Sequence, residues 1–334
     1  MRSLTRRAAI VAAAGLAARP AVADVTRLRV SHGYSTGYLP LMVIREQKLL
    51  EKHAARMGMG SLTVEWSIVD GGNNINDAML AGALDIAGIG IPGFLVLRDR
   101  TLGRPQEMVG ISAMDRGSLW LNTINPRIRT LADYTSNDRI AVPGIKTSYA
   151  AVVLEMVVAK QFGMENFARL DPMTVGLPHP EAYAVMMSGK TEITSHLASA
   201  PFSYLEVRNP AVYRVLSTSE QLGPMSILLN MTQRRFAEAN PGLMQAFLAA
   251  HEEANTVIAN DRNAAVAAYL AATQLKTPAD QLLTLLADPE NSYNTAPAGS
   301  LTYATFLANT GVVKTKPAAW TDLFLPALHD RNGS

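Results

Sequence analysis

The spacing of apolar residues changes along the chain, and each spacing predicts a different element. Leu28 and Val30 alternate with Arg27, Arg29 and Ser31, which predicts a short strand ending at His32-Gly33. Leu39, Met42, Val43 and Leu50 recur near helical spacing, and Pro40 can open that helix. Leu62, Val64, Trp66 and Ile68 alternate strictly with Ser61, Thr63, Glu65 and Ser67, the pattern of a half-buried strand. The turn cluster Asp70-Gly71-Gly72-Asn73-Asn74 follows, then a short helix to Leu80, a buried strand over 86–89 and another over 108–111. Repeated strand–turn–helix order predicts a mostly parallel sheet covered by helices.

A second unit of the same kind follows. Strands are predicted over 119–121, 140–142, 193–197 and 213–216, and helices over 180–187 and 201–207. Thr147 or Ser148 can cap a helix that runs to Phe162 and stops at Gly163. From Thr232 the pattern becomes long and Ala-rich, with helices over roughly 236–259 and 263–272. Asn240-Pro241 and Thr277-Pro278 punctuate this region. Neither a solenoid repeat nor a low-complexity linker is present, so the pattern describes two sheet-containing lobes and a helical C-terminal segment that wraps back on one of them. At about 150 residues per domain, a chain of 334 residues accommodates that division.

The N-terminus departs from this pattern. Arg2, Arg6 and Arg7 precede an apolar run from Ala8 to Ala18, and Ala21-Val22-Ala23 supplies a small-residue cleavage pattern before Asp24. The run is shorter than the ~20 residues that span a bilayer, so residues 1–23 read as an export signal and not as an anchor. Thr5-Arg6-Arg7 is compatible with a twin-arginine signal, which leaves the export route open. Removing the four Arg of this segment from the 30 basic residues leaves 26 against 28 acids, so the formal charge of +2 becomes −2. The mature chain then has no electrostatic case for nucleic acid or an anionic membrane. Having no cysteine excludes disulfides, zinc–thiolate and iron–sulfur sites and a thiol nucleophile.

Two motifs have the form of catalytic signatures. Gly33-Tyr34-Ser35-Thr36-Gly37 fits the nucleophile elbow of a serine hydrolase, but no earlier strand–helix loop exists to supply an oxyanion donor, and Pro40 delays the helix beyond Ser35. Gly88-Ile89-Gly90-Ile91-Pro92-Gly93 fits a dinucleotide fingerprint, but the acid at the expected distance, Glu107, falls at the start of its strand. These define the alternatives: an exported hydrolase using Ser35, or an NAD(P)-dependent oxidoreductase using the loop from Gly88 to Gly93. No metal-binding pattern is present among the six scattered histidines. His196, near a strand end, is either a hydrogen-bonded structural residue or a ligand contact.

Small-residue loops follow most of the predicted strands, and in open parallel sheets ligands bind at those strand ends. Pro143-Gly144-Ile145-Lys146-Thr147-Ser148 puts a cation, two hydroxyls and helical N–H groups together, either as an anion site or as ordinary capping with Lys146 in solvent.

Several stretches, in order, resemble the periplasmic solute-binding proteins of nitrate/sulfonate/taurine-type ABC importers. They are the signal peptide, Gly37-Tyr38-Leu39-Pro40-Leu41-Met42, the run from Gly71 to Gly90, Pro143 to Ser148, Met187-Ser188-Gly189-Lys190, Ser195 to Phe202, and Ala237-Glu238-Ala239-Asn240-Pro241. The resemblance implies an α/β, two-lobed type II periplasmic binding fold with the C-terminal helices packing back on the first lobe. The implied divisions are 1–23 for the signal peptide, 24–113 for the first lobe, 114–218 for the second, and 219–334 for the return, with crossovers near 112–116 and 217–224. It further implies a non-enzymatic periplasmic monomer without a cofactor, which captures a small solute and delivers it to an ABC permease with its ATPase. A ligand-sensing role in signalling is the other possibility. The cleft residues carried over by position are Tyr34, Ser35, Tyr38, Gly72, Asn73, Ile91, Met114, Lys146, Thr147, Ser148, His196 and Ser199. Thiamine-precursor relatives carry a cysteine-rich motif that this chain lacks. Only Arg116 offers a guanidinium near these loops, while Tyr34, Tyr38, Ile91 and Met114 suit an organic body. The expected ligand is therefore an organic anion such as a sulfonate.

Overall fold

The structure is a computed structural model that describes residues 25–146 and 148–334. The export signal assigned to residues 1–23, and Thr147, lie outside the described residues.

The chain begins with strands β1 (Arg27–His32), β2 (Thr63–Ile68), β3 (Ile86–Gly90) and β4 (Met108–Ala113). Helices α1 (Leu39–Gln47), α2 (Leu49–Arg56), α3 (Gly72–Leu80) and α4 (Ile91–Thr101) alternate with them. A short crossing strand, β5 (Asp115–Gly117), leads to β6 (Trp120–Thr123), β7 (Arg139–Val142), α5 (Tyr149–Phe162), β8 (Thr174–Gly176), α6 (His179–Ser188), β9 (Ile193–Ala198), α7 (Phe202–Glu206), β10 (Tyr213–Ser217) and α8 (Thr218–Leu222). The return runs through β11 (Met225–Ser226) to β12 (Leu228–Gln233), and then to α9 (Arg234–Ala239), α10 (Pro241–Asn260) and α11 (Arg262–Thr273). The chain ends with α12 (Ala279–Ala287), β13 (Ser292–Tyr293) and α13 (Ser300–Asn309).

Two five-stranded sheets result, ordered β2-β1-β3-β12-β4 and β10-β6-β9-β7-β8. Read from the other edge, the second has the same plan as the first: second strand, first, third, an intruder, fourth. The intruders, β12 and β6, are the strands that enter each sheet directly from a crossing, and both pair antiparallel with their neighbours. Each lobe thus has the mostly parallel sheet expected from the strand–helix order, with one reversed strand that the order did not predict. The two crossings pair with each other, Met225 opposite Gly117 and Ser226 opposite Arg116, and β13 adds to the other edge of β5. Asp115 ties them further, its Oδ1 accepting the Leu228 N–H at 3.0 Å.

Local sequence explains the helix limits. The helix expected across Leu39 to Leu50 breaks at Lys48, whose left-handed φ of 53° ends α1 and starts α2. The helix expected over 236–259 is interrupted at Asn240, because Pro241 has no N–H to continue α9 and instead opens α10. α5 buries all of Tyr149 through Val158, every one of them uncharged except Glu155, and is capped by Ser148 Oγ accepting the Ala151 N–H at 3.1 Å. The first core gathers Leu28, Val30, Ile86 and Ile89 beneath Leu41, Met42 and Ile44 of α1. α10 lays Leu243, Phe247, Ala250 and Ala254 against α1 and α2, and α11 packs on α1. The C-terminal helices thus return to the first lobe.

Candidate functional site

The lobes meet along the carboxyl ends of their strands. Loops after β1, β2 and β3 supply Ser35, Asp70, Gly71, Gly72 and Gly90, while loops after β7, β8 and β9 supply Pro143, Ser148, His179 and Ser199. They enclose a cavity of about 50 Å³, walled also by Tyr38, Leu119, Tyr149, Ile227 and Leu228. The cleft lies where ligands bind in open α/β sheets, here doubled because two sheets face each other. Contact across it is direct: the Thr36 N–H donates to the Ala200 carbonyl at 2.9 Å.

Glycine makes the close approach possible. A Cβ on Gly90 would lie 2.9 Å from the Tyr149 Cβ, and one on Gly71 would lie 2.9 Å from the Pro143 carbonyl oxygen. Gly71 also has φ +84° as the N-cap of α3. A Cβ on Gly88 would meet the Tyr38 ring at 2.9 Å. The glycines that imitate a dinucleotide fingerprint therefore serve packing: Gly88 seats an aromatic ring and Gly90 seats the opposite lobe.

The polar groups of the cavity are unevenly satisfied. Asp70 Oδ1 accepts the Gly71 N–H at 3.1 Å, whereas Oδ2 is buried without a partner. Burial raises the Asp70 carboxyl above its ordinary value, opposed by the backbone N–H groups of Gly71 and His179 and by His196. Ser199 Oγ is likewise buried and unpartnered. Burial, reinforced by Asp70 and Asp115, pushes the Tyr38 phenol well up, so it enters the site as a neutral hydroxyl. Behind the wall runs a chain of buried groups. His179 Nδ1 faces His196 Nε2 at 2.8 Å, His196 Nδ1 faces Glu206 Oε1 at 2.6 Å, and Asn122 donates to Glu206 Oε2 at 2.8 Å. Burial, then the neighbouring His196, holds His179 well below the usual histidine range and so neutral.

The residues carried over from the sequence separate into groups. Ser35, Tyr38, Gly72, Ser148 and Ser199 line the cavity. Tyr34 is half-buried beside it, and its carbonyl accepts the Tyr269 hydroxyl at 2.9 Å. Asn73 is exposed. Ile91 and Met114 are fully buried in the core, outside the cavity wall. His196 stands behind His179 with no exposed surface. Lys146 is exposed at φ 64° and is felt electrostatically by Glu155 and Asp171 of the second lobe. Sequence reasoning missed Asp70, Tyr149 and His179. Asp70 heads a cluster read only as a turn, and His179 follows β8, a three-residue strand too short to show periodicity.

Among the described residues no histidine hydrogen-bonds to Ser35. All six histidines are engaged elsewhere: His32 with Gly33, His53 with Glu253, His179 and His196 with each other, His251 with Ser112 and His329 with Phe324. Among the described residues no cluster of His, Asp and Glu could hold a metal ion.

The sequence profile of the NMT1-like family matches residues 21–272. The chain belongs to the NMT1-like family. No curated protein matches it in sequence. Solved structures match this NMT1-like chain over most of their length. The alkanesulfonate-binding protein SsuA from Xanthomonas axonopodis pv. citri, bound to MOPS, superposes with TM-score 0.70 at 19% identity, over 88% of this chain and 96% of that one. The periplasmic aliphatic sulphonate-binding protein SsuA from Escherichia coli gives 0.63 at 18%, covering 89% and 98%. The periplasmic nitrate-binding protein NrtA from Synechocystis PCC 6803 gives 0.65 at 17%, covering 90% and 84%. The fold is thus that of the two-lobed periplasmic binding proteins, as the sequence resemblance implied.

Proposed function

We propose that this chain is the solute-binding component of an ABC importer, which closes its two lobes around a small organic molecule and presents it to a membrane permease. One observation carries the reading: loops from both sheets enclose a cavity and, among the described residues, carry no nucleophile–base pair, so the site is built to hold and not to transform. In this reading residues 24–113 and 219–334 form one lobe, residues 114–218 the other, and the paired crossings β5 and β11 the hinge. Residues 1–23 would direct a monomeric mature chain to the periplasm, and among the described residues no helix is long and apolar enough to cross a membrane.

The organic anion expected from the sequence keeps one support. The N-terminal turns of α3 and α5 both end at the cavity, through Gly72 and through Tyr149 and Ala150, and helix N-termini favour groups that accept hydrogen bonds. Against a bare inorganic anion, no Lys or Arg is among the described lining residues. Arg116 lies in a smaller adjoining cavity that shares Ser35 and Ser199 with this one. We therefore assign an organic solute with an acceptor group at the helix ends.

A thermal-shift screen of residues 24–334, stripped of bound solute by unfolding and refolding, tests the reading. The panel holds taurine, alkanesulfonates, nitrate, bicarbonate, aromatic carboxylates and NAD(H). A solute at 100 times its Kd adds about 2.7 kcal/mol, a rise of several degrees. One saturable shift without product supports a binding protein, and turnover of any panel compound refutes it.

A further inference from the structure

The cavity contains an acceptor oxygen that has no hydrogen-bond partner among the described residues. Asp70 ends the β2 loop immediately before α3, and its two carboxylate oxygens differ: Oδ1 takes the Gly71 N–H, while Oδ2 is closed off from solvent without a partner. A buried carboxylate oxygen left unsatisfied is costly, and native proteins keep few of them. Burial raises this carboxyl above its ordinary value, while the Gly71 and His179 N–H groups, His196 and the first turn of α3 oppose that rise and favour the ionised form. No ammonium or guanidinium among the described lining residues answers that charge, and the facing ring, His179, is neutral. Ser199 Oγ, on the opposite lobe, is a second buried atom without a partner.

We propose that Asp70 is the ligand-recognising carboxylate of the cleft and that the solute presents to it a nitrogen head that donates hydrogen bonds, an amine or amidine. This rests on the solute-binding reading above and narrows the solute class: the molecule is cationic or zwitterionic, with N–H groups at Asp70 and any acceptor group at the ends of α3 and α5. An amidinium or ammonium supplies the missing donor and, by its charge, offsets the burial that raises Asp70, whereas an oxyanion would be repelled by the ionised Oδ2.

The test uses matched probes on residues 24–334, by calorimetry and thermal shift: acetamidinium against acetate, and taurine against ethanesulfonate. Within each pair the acid or amine group is exchanged or removed at similar size. The wild type is expected to bind the nitrogen-bearing member at least about tenfold more tightly, the size of one hydrogen bond to a charged group, and Asp70→Asn to abolish that preference. Circular dichroism and the melting midpoint of Asp70→Asn check that it folds, and the wild-type preference stands as a test without it. If acetate or ethanesulfonate binds as well as its partner, or Asp70→Asn keeps the preference, the assignment of Asp70 is overturned and the solute-binding reading survives. If none of the four probes binds and the earlier panel is also silent, both fall.

Discussion

Replacing Gly90 by Ala separates closure of the lobes from their stability. Gly90 has φ −62° and ψ 136°, a conformation any residue adopts, so the first lobe alone accepts the methyl group. Across the cleft the new Cβ would stand 2.9 Å from the Tyr149 Cβ and 3.3 Å from its backbone nitrogen. Contacts between carbon atoms settle near 3.5–4.0 Å, so the lobes must separate locally by about 0.5–1 Å. The obstructing atoms belong to the first turn of α5 and to the edge of a central strand, neither of which can rotate aside. Overpacking of this kind costs about 1–3 kcal/mol, a loss of about 5- to 150-fold in affinity if it falls wholly on the closed form. Because the chain has no cysteine, single cysteines at Met57 and Lys190, exposed residues in different lobes, give a clean pair for fluorescence transfer. With whichever probe closes the wild type, Gly90→Ala should show less closure and weaker binding, while its solute-free melting midpoint stays unchanged. Full closure with wild-type affinity would refute the reasoning. So would a solute-free midpoint lowered by several degrees, which would place the damage inside the first lobe.

Three further outcomes follow from particular contacts. Glu206→Ala strands the His196 ring nitrogen and leaves the buried Asn122 amide only the Ser203 carbonyl, and should cost about 3–5 kcal/mol in urea unfolding; a loss under 1 kcal/mol refutes the arrangement. Burial lowers His251 to about 3, so the folded state binds fewer protons than the unfolded chain; stability is intact above the ordinary histidine value and falls as pH drops below it. Its penalty reaches about 2.7 kcal/mol at pH 4.5, and His251→Gln should shrink the stability difference between pH 4.5 and 7 by about that amount in urea titrations, the rest belonging to His32 and His179. Lys146→Ala should leave solute affinity within about twofold by calorimetry, because its exposed side chain lies off the cavity wall and surface charge pairs contribute little.

What the sequence revealed follows from how local each signal is. The alternation from Leu62 to Ile68 predicts β2 almost to its ends, since a half-buried strand writes its pleat directly into the residue order. The loops that build the site were recognisable for the same reason, because glycines and small polar residues cluster where chain ends approach a ligand. Side-chain direction was not. Ile91 and Met114 stand in the right loops but point into the core, and only the packing around α4 and β12 decides that. The reversed strands were equally hidden. Leu228 to Thr232 pair with Gly90 back to Ile86 far along the chain, and no local pattern reports a partner so distant. Asp70 was visible as a residue, yet its importance lies in a missing hydrogen bond, which no sequence displays.

The borrowed strands also set an order of assembly. The first sheet leaves a gap between β3 and β4 that only β12 fills, and β12 emerges after the whole second lobe. The second sheet has no such debt, since β6 through β10 are contiguous in the chain. During synthesis the second lobe can therefore complete its sheet while the first still lacks its intruding strand, and the N-terminal half stays unfinished until the C-terminal half arrives. Chains cut just before Leu228 should retain a folded second lobe and lose the first, although the first was made earlier.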